Sequence, residues 1–171
     1  MTVARPGDTL RLDLDETEQG PDGSPGSATV DDLRLDLQVC FAVHATARAF
    51  DRTYRPLLAG LGLTYPQYLV MLVLWEHGDL PVKSLGELLS LDSGTLSPLL
   101  KRMEGAGLVL RERSPQDERS VIVSLTAEGR SLWTAAKEVP RQIAVASGLT
   151  AAKGAELRHS LERMTAVLDG S

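Results

Sequence analysis

The sequence predicts a mainly α-helical chain with one small β-hairpin, arranged as a helix-turn-helix followed by a wing. Three observations predict it. Val82-Lys83-Ser84-Leu85-Gly86-Glu87-Leu88-Leu89 and a stretch from Ser93 to about Gly105 read as two short amphipathic helices joined by Ser90-Leu91-Asp92. Directly after them, Leu108 to Arg113 and Ser120 to Leu125 read as strands, with Val121-Ile122-Val123 as the β-branched run. Long helical periodicities flank this unit on both sides.

The elements follow in order. From Leu33 the pattern turns helical: Leu33, Leu37, Cys40, Phe41, His44, Ala47, Phe50 and Tyr54 recur at three- and four-residue steps, as on a helix face. Pro56 is placed to kink or end that helix, and Gly60 and Gly62 close it. Thr64-Tyr65-Pro66-Gln67 fits a capping box that opens a second helix carrying Tyr68, Met71, Leu72 and Trp75, which stops near His77-Gly78. Ser93 is the expected cap of the second helix of the helix-turn-helix, and Gly107 suits a stop just beyond it. On that helix Leu96, Leu99, Leu100 and Met103 form the buried stripe. Ser114-Pro115-Gln116-Asp117-Glu118-Arg119 is the polar loop of the hairpin. Thr126 opens a long helix through Trp133 toward Ser147, with a bend at Pro140, and Thr150 caps a last helix bearing Leu157, Leu161, Met164 and Leu168. Trp75 and Trp133 read as core or interface residues.

Helices of about 33–60 and 127–169 lie outside the winged unit of about 64–125, and a homodimer interface is the economical place to bury their apolar faces. Residues 31–171 thus form one domain, preceded by an acidic tail over 1–30. That tail holds Gln19-Gly20-Pro21-Asp22-Gly23-Ser24-Pro25-Gly26-Ser27, a composition unable to offset the cost of ordering, so it is expected to be flexible.

Composition bounds the function. The chain has 171 residues, 43% apolar and 24% charged, an ordinary globular balance. No run approaches the roughly 18 apolar residues of a membrane span. No cationic segment followed by an apolar run marks a secretory leader. A single cysteine excludes a disulfide framework and suits a reducing cytoplasm. Three scattered histidines, His44, His77 and His159, make a zinc site improbable, and no cofactor motif is present. Net charge is −5, which taken whole argues against nucleic acid. The distribution reverses this. Residues 1–32 hold two arginines against eight acids, net −6, leaving +1 on the remaining chain.

The helix face opposite the Leu96 stripe offers Ser93, Gly94, Thr95, Ser97, Pro98 and Lys101, with Arg102 beside it. Gly94 permits close backbone approach to phosphate. The helix N-terminus favours an anion. The hydroxyls and the Thr95 methyl suit base edges, and Lys101 and Arg102 suit phosphates. A solvated polar face is the plainer reading of this helix alone. The hairpin adds Arg111, Arg113 and Arg119, with Arg119 at the tip, where a guanidinium fits a narrow minor groove. A carboxylate bonded to Arg119 would fix its fork, and Asp117 and Glu118 are adjacent. Helix and hairpin together favour double-stranded DNA as partner.

Leu91-Asp92-Ser93-Gly94-Thr95-Leu96-Ser97-Pro98-Leu99-Leu100-Lys101-Arg102-Met103-Glu104, followed by Asp117-Glu118-Arg119-Ser120, resembles the MarR family of dimeric winged-helix repressors over about residues 33–168. The resemblance implies a two-fold dimer on a pseudo-palindromic operator, with recognition helices in successive major grooves and wings in the flanking minor grooves.

A lone cysteine on an apolar helix face is ordinarily an inert small hydrophobe. Tyr54 lies 14 residues after Cys40, nearly four turns on, so both share a face but stand about 21 Å apart along a continuous helix. Contact between them requires the same helix of a second subunit, running antiparallel across an axis near Ala47, and Ala45, Ala47 and Ala49 are small enough to help. A phenol bonded to sulfur favours the thiolate, which is the species that attacks a peroxide. Leu37-Gln38-Val39-Cys40-Phe41, Tyr54-Arg55-Pro56-Leu57-Leu58, Leu63-Thr64-Tyr65-Pro66-Gln67-Tyr68 and Leu74-Trp75-Glu76-His77 resemble the organic hydroperoxide-sensing branch of the family, the OhrR type. The resemblance implies that Cys40 is the oxidised residue and that Tyr54 and Tyr65 of the other subunit orient and activate it. His44 stands where some members carry another tyrosine; it either supports the thiolate or fills space. No second cysteine exists to resolve the oxidised sulfur, so a low-molecular-weight thiol is the implied co-reactant. The alternatives are a regulator released by a phenolic or aromatic ligand with an inert cysteine and, less favoured, a thiol peroxidase. The expectation is a regulator, not an enzyme.

Overall fold

The computed structural model describes residues 33–115, 117 and 119–170. The acidic tail over 1–30 and the Glu118 carboxylate considered above lie outside the described residues. The chain divides into two compact units, residues 1–41 and 42–171. Among its described residues, a 3₁₀ turn of the first unit spans Leu35–Leu37, and the Arg34 guanidinium pairs with the Asp36 carboxylate.

Helix α1 spans Val39–Ala59, so the regular helix begins six residues later than the periodicity from Leu33 suggests. Pro56 neither ends nor breaks it. Its ring removes one amide donor, yet the helix continues to Ala59 because Leu57 and Leu58 of the same turn are packed into the core. The stop comes at Gly62, whose φ of 66° is left-handed, with the Leu63 amide bonded back to the Leu58 carbonyl at 3.1 Å. Helix α2 spans Tyr65–His77. The Thr64 amide donates to Gln67 Oε1 at 2.8 Å, which is the reaching-back half of the expected capping box.

Strand β1 is only Leu80–Pro81, helix α3 spans Val82–Leu89, helix α4 spans Ser93–Gly105, and strands β2 and β3 span Val109–Arg113 and Val121–Leu125. The sheet has the order β1-β3-β2, all antiparallel, with Leu80 opposite Val123 and Arg111 opposite Val123 on the other side. The hairpin was expected; β1 was not, because two residues carry no periodicity. The α3–α4 turn uses a left-handed Ser90 (φ 52°). It also depends on Gly86, where a Cβ would stand 2.9 Å from the Leu91 carbonyl oxygen. The stripe of Leu96, Leu99, Leu100 and Met103 is buried, with Met103 fully enclosed. It joins Leu58, Tyr68, Met71, Leu74, Leu85, Val109 and Val123 in one core.

The expected long helix after Thr126 is three pieces, α5 (Ala127–Ser131), α6 (Trp133–Ala136) and α7 (Glu138–Ser147). The breaks fall at Leu132 and Lys137, not at Pro140. Pro140 lies in the first turn of α7, where a missing amide hydrogen costs no helical bond. Helix α8 spans Ala151–Leu168, and the Thr150 hydroxyl caps it from the Lys153 amide. It has no buried residue, and Leu157, Leu161, Val167 and Leu168 are exposed in the single chain. No described helix is long and apolar enough to cross a membrane.

Candidate nucleic-acid interface and tyrosine cluster

Helix α4 presents Ser93, Gly94, Thr95, Ser97, Pro98, Lys101 and Arg102 to solvent, because the Leu96 stripe on its other face is fixed in the core. The cap differs from the expectation. Asp92, not Ser93, is the N-cap: its carboxylate accepts from the Thr95 amide at 2.8 Å and from the Thr95 hydroxyl at 3.0 Å. These hydrogen bonds hold the Asp92 carboxyl below the usual range. One amide at the helix N-terminus is thus satisfied by an anion of the chain itself. Gly94 has a local reason as well, since a Cβ there would stand 3.0 Å from Asp92 Oδ1. Pro98, inside α4, gives the Gly94 carbonyl no helical donor and leaves a backbone acceptor on the exposed face.

In the wing, Asp117 and Arg119 are both exposed. Asp117 Oδ1 accepts from the backbone amide of Arg119 at 3.0 Å. It thus shapes the loop rather than orienting the guanidinium fork, and among the described residues no carboxylate pairs with that guanidinium. Arg111 is removed from the set of free cations: it makes two hydrogen bonds to Glu104 at 3.0 and 2.6 Å, both groups part-buried. This pair ties β2 to the end of α4 and depresses the Glu104 carboxyl. A groove of about 410 Å³ runs between α4 and the wing, lined by Lys83, Ser97, Arg111, Asp117 and Arg119 among others. Lys83 was not singled out from the sequence; only the tertiary approach of α3 to the wing brings it there.

The two tyrosines singled out in the sequence lie together. Tyr54 on α1 and Tyr65 at the start of α2 have ring centroids 4.7 Å apart at 45°. Tyr68 stands 6.1 Å and Phe50 6.5 Å from Tyr54. Burial pushes the Tyr54 phenol up to about 12, and the neighbouring Tyr65 and Tyr68 add to it. Tyr65 is raised by burial and then by the negative charge of Asp51. Both phenols thus stay protonated and remain hydrogen-bond donors at neutral pH. They edge a groove of about 900 Å³ whose other walls include Ala47, Ile143, Ala144 and Ala151. His44 is exposed on α1. Cys40 is an exposed free thiol in the first unit. Among the described residues no group of three or more His, Cys, Asp or Glu side chains is placed to hold a metal.

Residues 52–135 match the transcriptional regulator SarA/Rot family. The chain is 46% identical over 139 residues to the organic hydroperoxide resistance transcriptional regulator of Bacillus subtilis, covering 81% of this chain and 92% of that one. The chain belongs to the SarA/Rot/MarR family of winged-helix transcriptional regulators. It is also 53% identical over 120 residues to the HTH-type transcriptional regulator TtmR of Methylorubrum extorquens, covering 70% of this chain and 62% of that relative. The structure of reduced AbfR of Staphylococcus epidermidis bound to DNA superposes with a TM-score of 0.68 at 36% identity, covering 81% of this chain and 96% of that one.

Membership makes the chain a DNA-binding transcriptional regulator rather than an enzyme. Within that family frame, the site residues that sequence reasoning missed are those whose role is tertiary. Asp51 faces the tyrosine pair from one turn before Tyr54 on α1. Glu104 neutralises Arg111. Gly129 lies against the base of the wing, where a Cβ would stand 2.2 Å from the Leu108 carbonyl oxygen.

Proposed function

We propose that the chain is a homodimeric repressor that releases a pseudo-palindromic operator when an organic hydroperoxide oxidises Cys40. The observation that carries this reading is the Tyr54–Tyr65 pair, two neutral phenol donors packed side by side at the edge of an apolar groove walled in part by alanines. A pair of phenols donating to one sulfur favours its thiolate. The partner subunit's Cys40 is the sulfur they would receive. The similarity to a relative named for organic hydroperoxide resistance supports the same assignment.

In the reaction, the thiolate sulfur attacks an oxygen of the hydroperoxide. An S–O bond forms and the O–O bond breaks. Sulfur loses two electrons to the peroxide, which leaves as the alcohol after taking a proton. The sulfenic acid then condenses with a small thiol, losing water and forming a mixed disulfide, because the chain has no second cysteine. Added bulk and polarity at a packed interface shift the winged domains out of register with two major grooves. The DNA contacts in this reading are Ser93, Gly94, Thr95, Ser97, Pro98, Lys101 and Arg102 of the recognition helix and Asp117 and Arg119 of the wing, Asp117 acting through the backbone of Arg119.

The test is Cys40→Ser. The variant is expected to bind DNA as the reduced wild type does and to resist release by cumene hydroperoxide with free cysteine. Release of the serine variant by hydroperoxide refutes the mechanism. Release of both proteins by a phenolic acid, with neither responding to peroxide, establishes the ligand-responsive alternative instead.

A further inference from the structure

The rings at the groove do not end with the tyrosine pair. From Tyr54 they continue inward to Tyr68, which is 2% exposed. Tyr68 meets Trp75 edge-on at 6.5 Å, and Trp75 meets Trp133 edge-on at 5.9 Å. At the far end the Trp75 indole N–H donates to the Gly129 carbonyl at 3.1 Å.

Gly129 is the point where this aromatic series touches the wing. Its Cα lies so close to Leu108 that any Cβ would collide with the Leu108 carbonyl. That carbonyl also accepts the Thr126 amide and hydroxyl, each at 3.1 Å. Leu108 leads directly into β2, and Thr126 follows directly on β3. The base of the wing is thus clamped to Gly129, and Gly129 is held by Trp75.

The segment that carries Gly129 away from the wing is compliant. The amides of Leu132 and Lys137 make only long helical bonds, 3.3 Å each, to the Glu128 and Trp133 carbonyls, and Trp133 lies between the two positions. Trp133 is secured by the Trp75 edge on one side, and the Lys137 ammonium stands 5.0 Å from its ring. A close-packed series of rings transmits a displacement to a helical segment whose bonds are long at two places. Coupling of this kind needs a physical element that both ends touch, and the α5–α6 segment meets the rings through Gly129 and Trp133 and the base of the wing through Gly129.

We propose that Trp75 is a positioning residue that couples the tyrosine pair to the DNA-binding wing, through its indole hydrogen bond to Gly129 and its edge contact with Trp133. A change in the packing of Tyr54 and Tyr65 moves Tyr68, then Trp75, then the Gly129 clamp, and so resets the angle of β2 and β3. The proposal rests on the sensing role assigned above to the tyrosine pair.

The test uses the full chain and a duplex selected by the wild-type protein from a random-sequence pool. Wild type, Trp75→Phe and Trp133→Leu are each treated with cumene hydroperoxide and free cysteine. Cys40 modification is read by intact mass and DNA affinity by titration, on the same samples. Phenylalanine keeps a ring in the core and deletes the N–H. Trp133 is 45% exposed, so its variant folds even where Trp75→Phe does not. Oxidation is expected to weaken wild-type binding on the order of tenfold or more, whereas both variants keep reduced affinity within about twofold and lose most of the oxidised-to-reduced difference. Cys40 is modified equally in all three. If either folded variant is released as fully as wild type, the proposal fails while the sensor reading stands, even where its melting temperature has dropped. If wild type is modified at Cys40 yet stays on DNA, the sensor reading fails and the coupling proposal with it.

Discussion

Replacing Gly129 by alanine isolates the clamp at the base of the wing. An ideal Cβ at that position stands 2.2 Å from the Leu108 carbonyl oxygen and 3.2 Å from both the Leu108 carbonyl carbon and Leu125 Cδ2. Ordinary C···O contacts begin near 3.3 Å, so the overlap is about 1 Å. Leu108 cannot withdraw freely, because its oxygen accepts from the Thr126 amide and shares with the Gly107 carbonyl the single proton of the Thr126 hydroxyl, which itself accepts from the Gly129 amide. Losing two such bonds costs about 2 kcal/mol. Overpacking against backbone adds about 1–3 kcal/mol. Alanine in a helix returns about 1 kcal/mol relative to glycine. The net is a destabilisation of about 2–4 kcal/mol, a fall in melting temperature of about 5–15 °C for a chain of this size. Thermal unfolding followed by circular dichroism, with urea titration for the free energy, measures it. Gly154→Ala is the matched control: beyond its own helix turn, no heavy atom of the described residues lies within 4 Å of a Cβ built there in α8, and the change should stabilise by about 0.5–1 kcal/mol. A Gly129→Ala protein as stable as wild type would refute the clamp.

Three further outcomes follow from the site. Burial raises Tyr54 from 10.0 to about 12 in the folded state; the neutral phenol is favoured there, so its stabilisation is full below pH 10 and is lost as pH rises from 10 toward 12, a slope that unfolding as a function of pH should show and Tyr54→Phe should flatten. The Asp92 carboxyl is held below its usual range by Thr95, so its contribution is present above the unfolded value near 3.8 and lost as pH falls through the folded one; Asp92→Asn should keep the melting temperature at neutral pH while removing this acid slope, and Asp92→Ala should lower the melting temperature. In the proposed dimer Arg119→Ala removes one contact per subunit, so it should weaken DNA binding across sequences and reduce the magnitude of the salt slope by about 2, whereas Arg111→Ala should leave that slope unchanged and lower stability by stranding Glu104.

Much of the fold was legible because its signals are local. The Leu96–Met103 stripe, the Thr64–Gln67 box and the Val121-Ile122-Val123 run each declare themselves within one element. What was missed depends on distant residues. Strand β1 exists only because β3 offers a partner to Leu80 and Pro81. The breaks at Leu132 and Lys137 carry no glycine or proline of their own, while the visible Pro140 sits harmlessly in a first turn. At the recognition helix the exposed residue types were readable, but Asp92 and Ser93 are adjacent competent caps, and only geometry chooses between them. Arg111 looks like any other cation in the sequence until Glu104, seven residues earlier, is found against it.

The charge distribution bears on how such a protein lets go of DNA. Outside the acidic N-terminal stretch the net charge is only +1. With Arg111 committed to Glu104, the exposed cations among the described residues of the recognition helix and wing are Lys101, Arg102, Arg113 and Arg119, with Lys83 of α3 beside them. Asp92 and Asp117, which shape the same two elements, subtract from their field. Few phosphate contacts per subunit mean weak binding by any one winged unit. In the proposed dimer, tight binding comes from two units engaging one duplex together, an advantage lost when geometry forbids simultaneous contact. A repressor built this way needs no repulsive charge to dissociate. A modest change in wing angle, of the kind the Gly129 clamp governs, removes the second engagement and with it most of the affinity.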